Sequence, residues 1–197
     1  MSNVYDLLIR GEDIGEMPPE PEEVLGEKAI GRKAPGDIIK IAHKDYIVLG
    51  REDGGVAVIT KDIVEYMKFS STSGNYLESD VRSYCNETFY QTLAEEIGAE
   101  NILMHTVDIT ADDGTGEALC DDYVSLITTE RYRRYRKVLP ALGKWWWTST
   151  RVNADNTDYA RSVCCVCSNG VLVWCDCDSV SGGVRPFLVL NPALLVD

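Results

Sequence analysis

The chain has 197 residues, 45% of them hydrophobic, and a formal net charge of −13. That apolar content supports one folded domain with a short extension and excludes general disorder. The acidic balance lacks the basic footprint that nucleic-acid binding requires, and no apolar run approaches the roughly 20 residues needed to cross a bilayer.

Residues 1–10 lack the charged, apolar and small-residue succession of a secretion signal, so the expected setting is the cytoplasm or a virion assembled in one. In that reducing setting the seven cysteines are expected as free thiols or ligands rather than as a disulfide framework. From residue 11 to 28 the chain carries Glu12, Asp13, Glu16, Glu20, Glu22, Glu23 and Glu27 among Pro18, Pro19 and Pro21. Charge repulsion and proline stiffness predict an extended acidic arm over residues 1–34, followed by one domain over 35–197. The arm is a candidate connection to a phage particle or a bacterial surface assembly.

After Asp37 the texture changes. Ile38-Ile39-Lys40-Ile41, Tyr46-Ile47-Val48-Leu49 and Val56-Ala57-Val58-Ile59 are β-branched runs, the last preceded by the turn signal Asp53-Gly54-Gly55, and they predict an antiparallel meander. Ser79 or Asp80 caps a helix whose apolar side is Val81, Cys85, Phe89, Leu93 and Ile97, stopped at Gly98, with a break into two short helices open at Asn86-Glu87. Val107 to Thr110 predicts a strand. The acidic loop Ala111 to Glu117 carries the carboxylates that hard cations favour but not the spacing of a calcium loop, so a plain surface loop is expected. Asp121 to Thr128 predicts another strand. Thr129 then caps a helix through Lys137, whose Arg131, Arg133, Arg134, Arg136 and Lys137 are expected to form a solvated face.

In Lys144-Trp145-Trp146-Trp147-Thr148, strand alternation puts Trp145 and Trp147 on one face and Trp146 on the other. One face must be core; the other is core or a binding platform. Five of the seven cysteines then fall between Cys164 and Cys177, on two strand-like runs around Ser168-Asn169-Gly170. If Asn169 and Gly170 form a two-residue turn, Cys164 faces Cys175 and Cys165 faces Trp174. Cys165 and Cys167 then lie on the opposite side from Cys175 and Cys177. A slip of one residue would gather those four thiols and open a zinc site, which the tighter turn disfavours.

These segments carry a resemblance. Trp145-Trp146-Trp147 followed by Thr148-Ser149-Thr150-Arg151, the run Val166 to Leu172 around Ser168-Asn169-Gly170, and Gly183-Val184-Arg185-Pro186 before an apolar strand resemble the C-terminal part of a domain common in gut bacteria and their prophages. Tyr76 to Phe89 and Asp121 to Tyr135 fit the same pattern upstream, so the resemblance covers roughly residues 35 to 197. Such domains are similar to C-type lectin-like folds and to the variable proteins of diversity-generating retroelements. The implied class is α+β, with short helices, antiparallel strands and a diversified C-terminal region. In those systems template adenines are randomised, and an Asn codon can yield Cys, Asp, Ser, Val, Leu, Tyr, Gly or Arg but never a stop. The cysteines here, with Asp178 and Ser179, lie in that set; Trp174 requires a templated codon or a different adenine-bearing one. Arg185 and Pro186 belong to the implied scaffold, Arg185 anchoring the loop through its fork of donors. The family more often has Leu-Arg after its tryptophans, whereas Thr148 stands here.

The function this implies is ligand recognition without catalysis, of a protein or glycan on a cell surface. The candidate binding residues are Asn153, Asp155, Asn156, Asp158, Tyr159, Cys164, Cys165, Cys167, Trp174, Cys175, Cys177, Asp178 and Ser179, a mixture of apolar anchors and hydrogen-bonding groups. No cofactor or metal ligand is assigned. Two alternatives stay open. Formylglycine-generating oxidases are similar in broad fold and use paired cysteines with copper, and Cys164 with Cys175 could imitate that pair. Against an enzyme, His43 and His105 lie in no recognisable catalytic spacing, and no phosphate loop or nucleophile elbow occurs. The other alternative is a virion structural subunit.

Overall fold

The β-branched runs after Asp37 pair as the meander their alternation predicts. The computed structural model describes residues 26–196, so the acidic stretch before residue 26 lies outside the described residues. Strands β1 (Ile38–Ile41), β2 (Lys44–Glu52) and β3 (Gly55–Thr60) form one side of a six-stranded sheet. Its other side is β13 (Pro186–Leu190), which pairs antiparallel with β3, with β5 (Ile102–Leu103) and with β8 (Val124–Leu126). A second sheet has the order β11 (Leu172–Asp176), β10 (Ser162–Val166), β9 (Trp146–Arg151), β12 (Gly183–Val184), β4 (Glu65–Tyr66). The ribbon β6 (His105–Asp108) and β7 (Leu119–Asp122) is separate, and β9 with β12 is the parallel pairing among the described strands. The architecture is mixed α and β with mostly antiparallel sheets.

β3 and β13 are buried along their whole length because both faces of the large sheet are covered. Val56, Val58, Leu188 and Leu190 enter one core, under the long helix, while Ala57, Ile59, Phe187 and Val189 enter another, with Tyr132 and Trp146. Alternation alone divides the two sets. Trp145 and Trp147 meet edge to face at 4.8 Å, and Trp146 packs against Tyr132 at 5.6 Å on the opposite side. The expected alternation holds, but both faces are core: Trp146 and Trp147 are enclosed and neither forms a platform.

Helix α1 runs over residues 80–97, capped by Ser79, whose hydroxyl accepts from the Arg82 amide at 3.2 Å, and stopped at Gly98 with φ +86°. The chain does not break at Asn86-Glu87. It widens there into a π segment, Tyr84–Phe89, and Asn86 bonds the backbone at the start of β8: its amide donates to the Val124 carbonyl at 2.8 Å and its Oδ1 accepts from the Tyr123 and Val124 amides. Helix α2 is Thr129–Tyr135, shorter than expected, and its cap is Thr128, which accepts from the Arg131 amide at 3.0 Å. Its basic residues are not one solvated face. Arg131 is buried, pairs with Glu52 at 2.6 Å and Asp53 at 3.2 Å, donates to the Thr106 carbonyl and lies over the Phe187 ring.

The stretch read as one strand over 121–128 is two, β7 and β8, which turn apart at Tyr123. Among the described residues burial begins at Ala29 and Ile30, both fully enclosed, and Ala29 bridges to Leu195. No helix among the described residues is long and apolar enough to cross a membrane.

Candidate functional site: the cysteine hairpin and its flanking loops

The hairpin of β10 and β11 is built around a three-residue turn, one residue longer than the two-residue form expected above. The Gly170 amide donates to the Cys167 carbonyl and the Cys167 amide to the Val171 carbonyl, both at 2.8 Å. Gly170 sits at φ +83°, whereas Asn169 is not in the left-handed region that a two-residue Asn-Gly turn demands. Tyr132 holds this choice by donating its hydroxyl to the Gly170 carbonyl at 2.7 Å, and the Asn169 side chain accepts from the Val171 amide at 3.1 Å.

The extra turn residue slips the register. Cys164 now faces Trp174, Cys165 faces Val173 and Val163 faces Cys175. The expected pairs Cys164 with Cys175 and Cys165 with Trp174 are therefore corrected, because adjacent positions point to opposite faces. Cys164 and Cys175 cannot imitate a paired-thiol centre. Instead Cys165 and Cys175 share a face, and their sulfurs meet at 2.7 Å. The slip does not gather four thiols: Cys167 lies 3.9 Å from the Ser168 hydroxyl, and Cys177 is enclosed in the core. Among the described residues no three His, Cys, Asp or Glu side chains come together as a metal would require.

Burial sorts the candidate residues. Cys165 and Cys177 have 0% exposure and Cys164 is nearly enclosed, so these three pack beneath the surface rather than forming it. Cys167, Cys175 and Ser179 are half-buried, and Asp178 is exposed. Trp174 is 61% exposed on β11, the edge strand of its sheet, beside exposed Val171 and Val173. Asp155, Asn156, Asp158 and Tyr159 lie exposed on the loop after β9. Asn153 organises that loop: its Oδ1 accepts from the Asp155 and Asn156 amides at 2.8 and 2.6 Å, and its amide donates to Asp113. Asn156 in turn caps the short 3-10 turn Thr157–Tyr159.

The acidic loop before β7 therefore belongs to the same surface. Asp113 accepts from the Thr115 amide and hydroxyl at 3.1 and 2.7 Å, bonds that hold its carboxyl below the usual range, and Thr115 accepts from the Ala154 amide at 2.8 Å. Asp112 accepts from the Thr129 hydroxyl at 2.6 Å and from Arg133 at 2.9 and 3.0 Å. A cleft of about 250 Å³ opens here, lined in part by Asp108, Asp112, Thr129, Arg133 and Thr150. Cys164 neighbours it, and burial with the charges of Asp112 and Asp113 pushes its thiol up to about 12. That thiol is neutral at physiological pH and acts as a small apolar group.

At the other end of the hairpin Arg161 bridges Asp176 at 3.0 Å and Asp178 at 2.8 Å and donates to the Ser71 and Thr72 carbonyls. Asp178 is thus held in place rather than free to follow a ligand. Reading the chain in order missed Asp112, Asp113, Arg133 and Arg161. An acidic loop and a basic helix of opposite charge were visible, but no spacing rule said that they meet. No family model matches this chain, and neither does any curated protein or solved structure.

Proposed function

We propose that the chain is a non-enzymatic binding protein of C-type lectin-like architecture, whose diversified C-terminal surface recognises a protein or glycan on a cell surface. The acidic arm joins it to a phage particle or bacterial assembly. The observation that carries this reading is Trp174: a large aromatic side chain, 61% exposed, fixed on a strand whose neighbour β10 is buried along its length. An exposed indole on a rigid element is the usual anchor of a recognition surface, because it supplies much apolar area at little entropic cost. On the loop after β9, Asp155, Asn156, Asp158 and Tyr159 offer hydrogen bonds from a backbone that Asn153 already orders. Substitution at such positions leaves the two cores untouched, which is what a diversified surface needs.

The test is genetic and then biochemical. A near-copy of the DNA encoding residues 150–186, differing only at template adenines and lying beside a reverse-transcriptase gene, is expected. The variable codons should fall at exposed positions. On a glycan array or intact bacterial cells, Trp174→Ala should weaken binding about tenfold or more while leaving the melting temperature nearly unchanged. Absence of the repeat together with undiminished binding by the variant would sink the reading.

A further inference from the structure

The Cys165 and Cys175 sulfurs, 2.7 Å apart on one face of the hairpin, have no part in the recognition surface just described. Their situations differ in the way a two-thiol exchange requires. Cys165 is on the inner strand β10, fully enclosed; Cys175 is half-buried on β11, the edge strand of its sheet among the described residues. Each of the other five thiols sits elsewhere: Cys85 and Cys177 in the core, Cys164 on the opposite face, Cys167 beside Ser168, and Cys120 on β7.

We propose that Cys165 and Cys175 form a reversible cross-strand disulfide by exchange with a low-molecular-weight disulfide such as oxidised glutathione. The Cys175 thiolate attacks one sulfur of the small disulfide. That S–S bond breaks, a mixed disulfide forms on Cys175, and one small thiol leaves after taking up a proton. Cys165 then loses its proton, and its sulfur attacks the Cys175 sulfur. The mixed disulfide breaks and the second small thiol leaves, also protonated. The two cysteines are oxidised by two electrons and the small disulfide is reduced by two, the cysteine protons ending on the released thiols.

The order of events follows from access. Of the two residues Cys165 is fully enclosed and Cys175 is partly exposed, so Cys175 makes the first attack and Cys165 resolves it from beneath. When Cys175 is ionised, the Cys165 thiol can only donate to it, and that bond lowers the Cys175 thiol from its ordinary value, while the same bond and burial raise that of Cys165. The thiolate that attacks is thereby the accessible one. The slipped register is what makes this possible, since the expected register would place the two sulfurs on opposite faces. Once closed, the cross-link ties the edge strand carrying Val173 and Trp174 to the buried strand beside it.

The full chain, fully reduced, is incubated with oxidised glutathione, quenched with an alkylating agent and weighed intact. Trypsin does not cut the Arg185–Pro186 bond and leaves both cysteines in one peptide after Arg161, so chymotryptic cleavage after Leu172 or Trp174, with fragmentation of the linked peptides, is used to locate the link. Loss of two hydrogens, a Cys165–Cys175 link reversed by dithiothreitol, and a melting temperature raised by roughly 5–10 °C are expected. Cys165→Ala should stall with one glutathionyl group on Cys175, whereas Cys175→Ala should leave Cys165 unmodified. The wild-type peptide map stands even if Cys165→Ala folds poorly. No link in the folded wild-type chain, a link between another pair, or glutathionylation of Cys165 in Cys175→Ala would overturn the proposal.

Discussion

His105 shows how burial sets the charge state of a single side chain. It is enclosed on β6, its Nε2 lies 2.9 Å from the Ser125 hydroxyl, and its ring meets Phe187 edge to face. Burial first, and then the nearby Arg131 charge, lower its pKa to about 4. In the unfolded chain the imidazole titrates near its ordinary value of about 6.5. Between these values the unfolded chain binds a proton that the folded chain refuses, so the His105 contribution falls as pH drops from about 6.5 to 4 and levels off below. The expected loss is about 3 kcal/mol, read as the part of the pH dependence of urea unfolding that His105→Gln removes. A variant as acid-sensitive as the parent would refute it. The sequence offered His105 only as a histidine in no catalytic spacing. Its neutrality comes from burial, to which Phe187 from another element contributes, and from the Arg131 charge.

The β10–β11 hairpin separates what local rules settle from what they leave open. Two β-branched runs around Ser168-Asn169-Gly170 announce a hairpin without ambiguity. They do not choose between a two-residue turn at Asn169-Gly170 and a three-residue turn with Gly170 left-handed, because Asn and Gly serve both. The choice is made by Tyr132 on α2, which bonds the Gly170 carbonyl from 38 residues away. Gly170→Ala should cost roughly 1–2 kcal/mol in urea unfolding, from the left-handed backbone alone, and more because its Cβ would press on Arg136. Ser168→Ala, exposed in the same turn, should be close to neutral. Equal effects would mean that the turn is not formed as described. The same division runs through α1: its apolar spacing was legible, but its π segment holds Asn86, which bonds the backbone of β8 as well as the Arg82 carbonyl of its own helix.

One short segment joins the two sheets. Gly183–Val184 pairs in the smaller sheet and Pro186–Leu190 runs through the middle of the larger one, with Arg185 between them. A side chain at Gly182 would overlap the Trp147 indole, whose N–H donates to the Met67 carbonyl at 2.9 Å. Arg185 is fully buried over the Trp146 ring and donates to the Thr60 carbonyl at 3.0 and 2.8 Å and to the Lys61 carbonyl at 3.1 Å. It does anchor by its fork of donors, but to the end of β3 rather than to a binding loop. Burial brings its pKa down to about 10, so it remains charged at neutral pH. Arg185→Met should cost about 2–4 kcal/mol, by leaving those carbonyls without donors, and should lower the protection of amides in both sheets together. A loss confined to one sheet would show that they unfold separately. Strand and helix existence, the tryptophan alternation and the hairpin were readable from residue order, because each depends on the period of a local pattern. Register, the cap of α2, the burial of Arg131 and the meeting of Cys165 with Cys175 were not, since each is decided by a partner from a distant part of the chain.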